Sequence, residues 1–427
     1  AESSFAERLP RKENGRKMPA GKGRRAALGG RYARRKWEWN TICSAVLGVH
    51  CALWLSRSQR CPQRLLHSSR KNRRQQSLSA TDVREMQQAD AAVTALTGGS
   101  DYAQMTEDER TEAALQQLDA LTAQGLVKQG SVYTDAENGM VSFTYSCGAL
   151  GGILLTDPEE ENTAALPELD ESQLQELAEN KRVGTAAIYY AFDNTINSTR
   201  YPYYAYMQTY WDSVGLQTDL DTTVTVSDLR RMGRYDLCIL STHGAYYTYE
   251  YGWLFKKTTT EPLILLTERS DFWSDLRYGF DLLAHRVVKV NGMYAVNGDF
   301  FRSAYRGNGI VLSETCEFYG KNGHVDTSMA DGLLAGGAKA VMGYVNNVYS
   351  VYSRSMLWAA VNRMIEGETL EQAVDYAKSI YGTDDIIWYN EQGGRRSHAA
   401  ASYAMLSGDR SAALPNPYTA ADVDAAA

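Results

Sequence analysis

Two side chains able to do chemistry stand 73 residues apart, each just past an apolar run. His243 follows the run in DLCILSTHG (residues 236–244), and Cys316 ends GIVLSETC (residues 309–316). A cysteine thiol is mostly protonated at neutral pH, so a thiol nucleophile needs a base beside it. An imidazole that takes the thiol proton supplies one. Gly244 has no β-carbon, so its N–H can come close to a substrate carbonyl. With the Cys316 N–H it forms a candidate oxyanion hole, a feature worth about 3–4 kcal/mol in acyl-transfer chemistry.

The remaining candidates are weaker. His324 lies only eight residues beyond Cys316, in the polar stretch GKNGHVD, with no strand to position it. His285 and His398 have less support still. Cys238 falls inside an apolar run and reads as core, and Cys147 has no evident partner. A lone histidine or a lone cysteine at a strand end is more often packing than chemistry. The joint placement with Gly244 makes this pair stand out. The chain has no G-x-S-x-G, H-E-x-x-H, P-loop or C-x-x-C pattern. The acidic stretch 157–172 lacks the ligand spacing of a calcium loop and reads as a solvated linker.

The elements that would carry these residues alternate between strand and helix from about residue 183. AAIYYAF, TTVTV, DLCIL, PLILL, RVVKV, GIVLS and AKAVMGYV read as strands. Helices are expected over 201–215, near Ser227, over DFWSDLRYGFDLLA, over TSMADGLLAGG and in two final amphipathic segments. Continuous apolar strands between helices predict an α/β fold with a mainly parallel sheet, and such sheets bind ligands outside the carboxyl ends of their strands. Both His243 and Cys316 belong at that edge. Upstream, residues 80–127 read as helices, with Thr81 and Thr106 as N-caps. SVYTDAENGMVSFTYS reads as a hairpin turning tightly at Asn138-Gly139.

The ordered set LCILSTHG, GIVLSETC and DGLLAGGAKAVMGYV resembles the caspase-like cysteine peptidases, a group that includes clostripain, the gingipains, legumain and the caspases. The resemblance covers about residues 183–385. It implies a caspase-like, mainly parallel sheet flanked by helices. It also implies His243 as base, Cys316 as nucleophile, and the N–H groups of Gly244 and Cys316 as oxyanion donors, with no cofactor required. Glu314 stands two residues before the cysteine, where clostripain-like and legumain-like enzymes carry an acid. The resemblance therefore implies substrate binding by Glu314 and cleavage after Arg or Lys, with cleavage after Asn as the rival. A strand-end residue bonded to backbone is the other reading of Glu314. The sequence departs from the family at Thr315, where Ala or Gly is usual, and at Glu317-Phe318, where a small residue follows the cysteine. It departs again in the long interval between histidine and cysteine. The segment 245–305, rich in Tyr, Trp and Phe, reads as an insertion that walls or covers a substrate. These departures favour a second class of function, a non-catalytic binding or scaffold protein that keeps the fold. The tyrosine-rich YPYYAYMQTYW would offer either class a peptide- or glycan-binding surface.

Charge divides the chain. Of its 44 Lys+Arg and 51 Asp+Glu, residues 1–75 hold 19 and 4, which leaves 25 and 47 for the rest. The basic leader runs into TICSAVLGVHCALWL (41–55), which is signal-like but short for a bilayer and followed by Arg57, Arg60 and Arg64. It reads as an unusual secretory signal or a disordered basic tail. An extracytoplasmic location, with possible membrane or envelope association through the leader, is expected. No nucleic-acid-reading module accompanies the basic residues, so the expected partners are proteins or peptides. The expected organisation is a leader (1–75), a helical and hairpin region that serves as a prodomain (76–165), a linker (166–182), the peptidase domain (183–400) and a tail (401–427). Six cysteines without regular spacing argue against a disulfide framework.

Overall fold

Every second side chain of the central strands faces one helical layer, and the alternate ones face another. In DLCIL, Leu237 and Ile239 enter one core while Cys238 and Leu240 enter a second. That double burial is what an uninterrupted apolar run in a covered parallel sheet requires. The computed structural model describes residues 77–156, 183–192, 202–251, 256–387, 390 and 400–415. The leader, the linker, His398 and the last residues of the tail lie outside this set, as do Cys43, Cys51 and Cys61.

The protein is α/β. A six-stranded sheet has the order β15-β14-β11-β6-β4-β5, built from β4 (Gly184–Ala191), β5 (Leu216–Asp221), β6 (Leu237–Thr242), β11 (Ile310–Ser313), β14 (Ala340–Val345) and β15 (Tyr403–Gly408). The first five are parallel, and only β15 runs against its neighbour. One face is covered by α4 (Pro202–Ser213), α9 (Ser350–Ile365) and α10 (Leu370–Tyr381), with Trp211, Met356, Leu357 and Leu370 fully buried. Each such side chain contributes roughly 1.5–3 kcal/mol by leaving water. The other face is covered by α5 (Val226–Leu229), α7 (Gly298–Ala304) and α8 (Ser328–Gly336).

A second sheet has seven strands in the order β1-β2-β3-β9-β10-β8-β7. These are β1 (Tyr133–Asp135), β2 (Met140–Thr144), β3 (Leu150–Leu154), β7 (Gly244–Tyr251), β8 (Lys257–Arg269), β9 (Val287–Val290) and β10 (Met293–Val296). Its outer face packs on α1 (Ala80–Thr97), α3 (Glu107–Ala123) and α6 (Phe272–Leu283). Its inner face closes on its own small core of Met140, Leu150, Ala245, Tyr247, Leu263, Val288, Val290 and Ala295. The sheet curls until edge strand β7 meets the hairpin. There Ser142 Oγ donates to the Thr248 carbonyl at 2.5 Å, and the Thr248 hydroxyl donates to Asp135.

The hairpin region and the aromatic segment 245–305 thus share one sheet, although the sequence places them in separate segments. A buried charge cluster adds to the junction. Lys289 on β9, 1% exposed, pairs with Asp90 of α1 and with Asp275 of α6, the latter at 2.8 Å. Tyr145 donates to Asp90, and Tyr294 donates to Asp275 at 2.7 Å.

Local details differ from the sequence reading. The N-cap of α1 is Ser79, not Thr81, because Ser79 and Asp82 complete a reciprocal capping box. Thr106 caps α3 as expected, together with Glu109. The turn at Asn138-Gly139 spans four residues, since Asp135 pairs with Met140, and only Gly139 has a positive φ (+59°). The Asp135 carboxylate accepts the Asn138 N–H at 3.1 Å and holds the loop open. The strand expected at TTVTV lies earlier, at Leu216–Asp221. Thr225 is diverted because its hydroxyl caps α5. YPYYAYMQTYW folds as α4, with Tyr204 and Trp211 nearly or fully buried, while Tyr206 and Tyr210 pack on Trp358. Much of its aromatic area is therefore core.

Candidate active site

β6 and β11 are neighbours in parallel register, with Leu240 beside Ser313. Their carboxyl ends therefore lie side by side, and each chain runs on for only a few residues before its chemistry. His243 is the single residue between β6 and β7. Cys316 follows β11 by three residues. The two extensions touch. The Thr242 and Thr315 hydroxyls are hydrogen-bonded at 3.1 Å, and a β-carbon on Gly244 would stand 2.1 Å from the Cys316 carbonyl oxygen. No side chain fits there, so glycine at 244 is what lets the strand leaving His243 press against the cysteine backbone. Thr315 is engaged in this junction and 1% exposed.

The imidazole of His243 meets Phe192, just past the end of β4, edge to face at 4.7 Å between centroids. Cys316 is half-buried, and its Sγ points to the Val348 carbonyl at 3.7 Å, ahead of α9. Phe192 and Cys316 both flank the core beneath α4 and α9, which places the two candidate groups at one end of the sheet and towards one of its faces. Leu265 N–H donates to the His243 carbonyl at 2.9 Å, and Gly244 stands opposite Ile264. In an antiparallel ladder the bonding direction alternates, so the Gly244 N–H points away from β8.

Glu314 is 5% exposed. Its N–H continues the β6 ladder to the Leu240 carbonyl at 2.9 Å. Its carboxylate faces the layer beneath α4 and α9, where Tyr204 donates to Oε2 at 3.0 Å and Ser353 donates to Oε1 at 3.2 Å. Ser241 in turn donates to the Tyr204 oxygen at 2.6 Å. The side chain thus accepts from two hydroxyls of the helical layer.

Cys238 is wholly buried, and burial pushes its thiol pKa up; it donates to the Met232 carbonyl at 3.2 Å. Burial also raises Cys147, which packs at the edge of the core under the hairpin. His324 is exposed on the two-residue strand β13 (His324–Val325), and His285 Nε2 contacts the Gly148 carbonyl at 3.0 Å. Neither stands at the strand ends. Among the described residues no group of three or more His, Cys, Asp or Glu side chains could hold a metal ion, and no helix is long and apolar enough to cross a membrane.

Sequence reasoning missed the surroundings of Cys316. Glu317, Asn322 and Asn346 are non-glycine residues at positive φ (+57°, +52° and +67°), and all three border the loop that follows Cys316. The asparagines carry a signal, because Asn tolerates this region. Glu317 carries none, since its conformation is imposed by a bond from its N–H to the Asn346 carbonyl at 2.9 Å.

A search of protein-family models finds no match to this chain, and no curated protein matches it.

Proposed function

We propose that the protein is a cysteine peptidase in which His243 and Cys316 act as a dyad on a caspase-like sheet. The observation that carries this reading is the junction of the two strand extensions, Thr242 to Thr315 and Gly244 against the Cys316 carbonyl. It places an imidazole and a thiol at adjacent carboxyl ends of parallel strands, where α/β sheets bind ligands.

His243 takes the Cys316 thiol proton, and the sulfur attacks the scissile carbonyl. The tetrahedral oxyanion accepts hydrogen bonds from the N–H groups of Gly244 and Cys316. Collapse breaks the C–N bond, and His243 delivers its proton to the leaving amine. Water, deprotonated by His243, then hydrolyses the thioester and frees Cys316. Glu314 lies two residues from the nucleophile, beneath the strand ends. A carboxylate there suits a substrate Arg or Lys side chain through a charge-assisted bond. The substrates are proteins or peptides. Export of the protein rests on the signal-like leader alone.

The test is hydrolysis of fluorogenic peptides ending in Arg, Lys, Asn or Asp, with Cys316→Ala as control. Higher kcat/KM on the basic pair supports both the reaction and the role of Glu314. Turnover that survives in Cys316→Ala removes the peptidase reading.

A non-catalytic scaffold is the second reading. Thr315 and Glu317 favour it, because both are buried in structural contacts where the family carries small residues. Iodoacetamide separates the two. Selective alkylation of Cys316, suppressed by His243→Ala, marks an activated thiol, and labelling of Cys316 no faster than that of Cys147, which is exposed to a similar degree, marks a scaffold.

A further inference from the structure

The loop behind Cys316 is tied to a part of the chain more than 170 residues away. Lys321 Nζ pairs with Glu317 Oε1 at 3.2 Å, and also donates to Asn138 Oδ1 at 3.1 Å and to the Glu137 carbonyl at 3.3 Å. An ammonium has three protons, so these three acceptors use its whole donor capacity. Asn322 reinforces the junction. Its side-chain amide donates to Glu137 Oε1 at 3.3 Å, and its N–H donates to Asn346 Oδ1 at 2.8 Å. Glu137 and Asn138 form the tip of the β1–β2 hairpin, in the region that the sequence reads as a removable prodomain.

The same turn is also bound to the other side of the site. Asn138 Nδ2 donates to Asp135 Oδ2 at 2.7 Å, and that oxygen also accepts from the Thr248 hydroxyl. Thr248 is on β7, five residues beyond His243. A chain of named contacts therefore runs from Cys316 through Glu317, Lys321, Asn138, Asp135 and Thr248 to the strand that begins beside His243. Glu317 needs such support. It holds a left-handed conformation that costs a non-glycine residue on the order of 1 kcal/mol or more, and it is 4% exposed.

We infer that the hairpin tip is a positioning device for the dyad, with Asn138 and Lys321 as its two positioning residues, so that the N-terminal region assembles the site instead of occluding it. This rests on the peptidase reading for its function, but not for its geometry. Asn138 orients Lys321, Lys321 holds the Glu317 carboxylate, and Glu317 fixes the main chain whose N–H and sulfur belong to Cys316. Neither residue touches substrate.

The experiment compares full-length wild type with Asn138→Ala, Lys321→Met, their double variant and Lys321→Arg. It reads kcat and KM for peptide hydrolysis, the rate of Cys316 alkylation by iodoacetamide across pH, and the thermal midpoint. The expected result is a kcat lowered roughly 3- to 30-fold with KM within about twofold, the range of couplings carried through packed networks. The alkylation profile shifts in step, the double variant is no worse than the poorer single variant, and Lys321→Arg recovers most of the loss. Unchanged kcat and alkylation overturn the inference. So does a loss that follows only the thermal midpoint and that Lys321→Arg does not recover. If wild type hydrolyses no peptide, the peptidase reading fails on its own, and the alkylation profiles still decide whether the hairpin positions Cys316.

Discussion

The six-stranded sheet buries both faces under helices, whereas the seven-stranded sheet buries one under helices and folds the other upon itself. The first is apolar along its central strands β6, β11 and β14, and buried polar residues gather where β6 and β11 end. Ser241, Thr242, Ser313, Glu314 and Thr315 all stand at carboxyl ends and are all buried. The second carries charge into the layer between its outer face and the helices, in Lys289 with Asp90 of α1 and Asp275 of α6. One sheet delivers the candidate pair His243 and Cys316 to a rim. The other uses ionic and hydroxyl contacts to join segments distant in sequence. Position on a sheet thus separates buried polar groups gathered at strand ends from those that join distant segments.

Four measurements sharpen or break this contrast. The largest effect is expected at the rim, where Cys316→Ala lowers peptide hydrolysis by at least about a thousandfold, as loss of a covalent nucleophile does, with urea unfolding almost unchanged. A parallel fall in stability would mean that the rim also serves assembly.

Next comes Lys289→Met, which leaves two carboxylates in a buried site without their cation. It should cost about 3–5 kcal/mol in urea unfolding at pH 7. A cost below about 1 kcal/mol would show that the ionic junction is not what joins the hairpin region to β9 and α6.

Gly244→Ala lies between the regions. Its methyl group would meet the Cys316 carbonyl at 2.1 Å and the Thr315 methyl group at 2.6 Å. Overpacking of this kind costs about 1–3 kcal/mol, and activity should fall further than stability because the displaced backbone carries the nucleophile. Wild-type kcat in this variant would show that the two extensions move independently.

The smallest effect concerns Glu261 on β8, whose carboxyl is pushed up to about 7 by burial, with Asp299 and Asp326 adding to the shift. The unfolded chain releases this proton near pH 4.5 and the folded chain only near 7. Stability therefore declines across that window and levels off above it. Glu261→Gln should remove the decline and gain on the order of 1–3 kcal/mol at pH 8. An unchanged pH profile would place the titration elsewhere.

Much of the rim was legible in the sequence, and the curled sheet was much less so. DLCIL, GIVLS and AKAVMGYV are covered on both faces, so each reads as a strand without knowledge of its neighbours. The carboxyl-end rule then brought His243, Gly244 and Cys316 together. β7 was not legible, because GAYYTYEY owes its direction to β8 and to a hairpin some 110 residues earlier. β10 and β15 were missed for the same reason, as their pairing partners define them. Asn138 could be read as a turn residue but not as a ligand of Lys321. That contact depends on two loops meeting in space, for which periodicity has no signal.

His243 is the only residue between β6 and β7, and these strands belong to different sheets. The chain passes from β6 into β7 through this one residue, so a displacement of β7 reaches the His243 backbone with no intervening loop to absorb it.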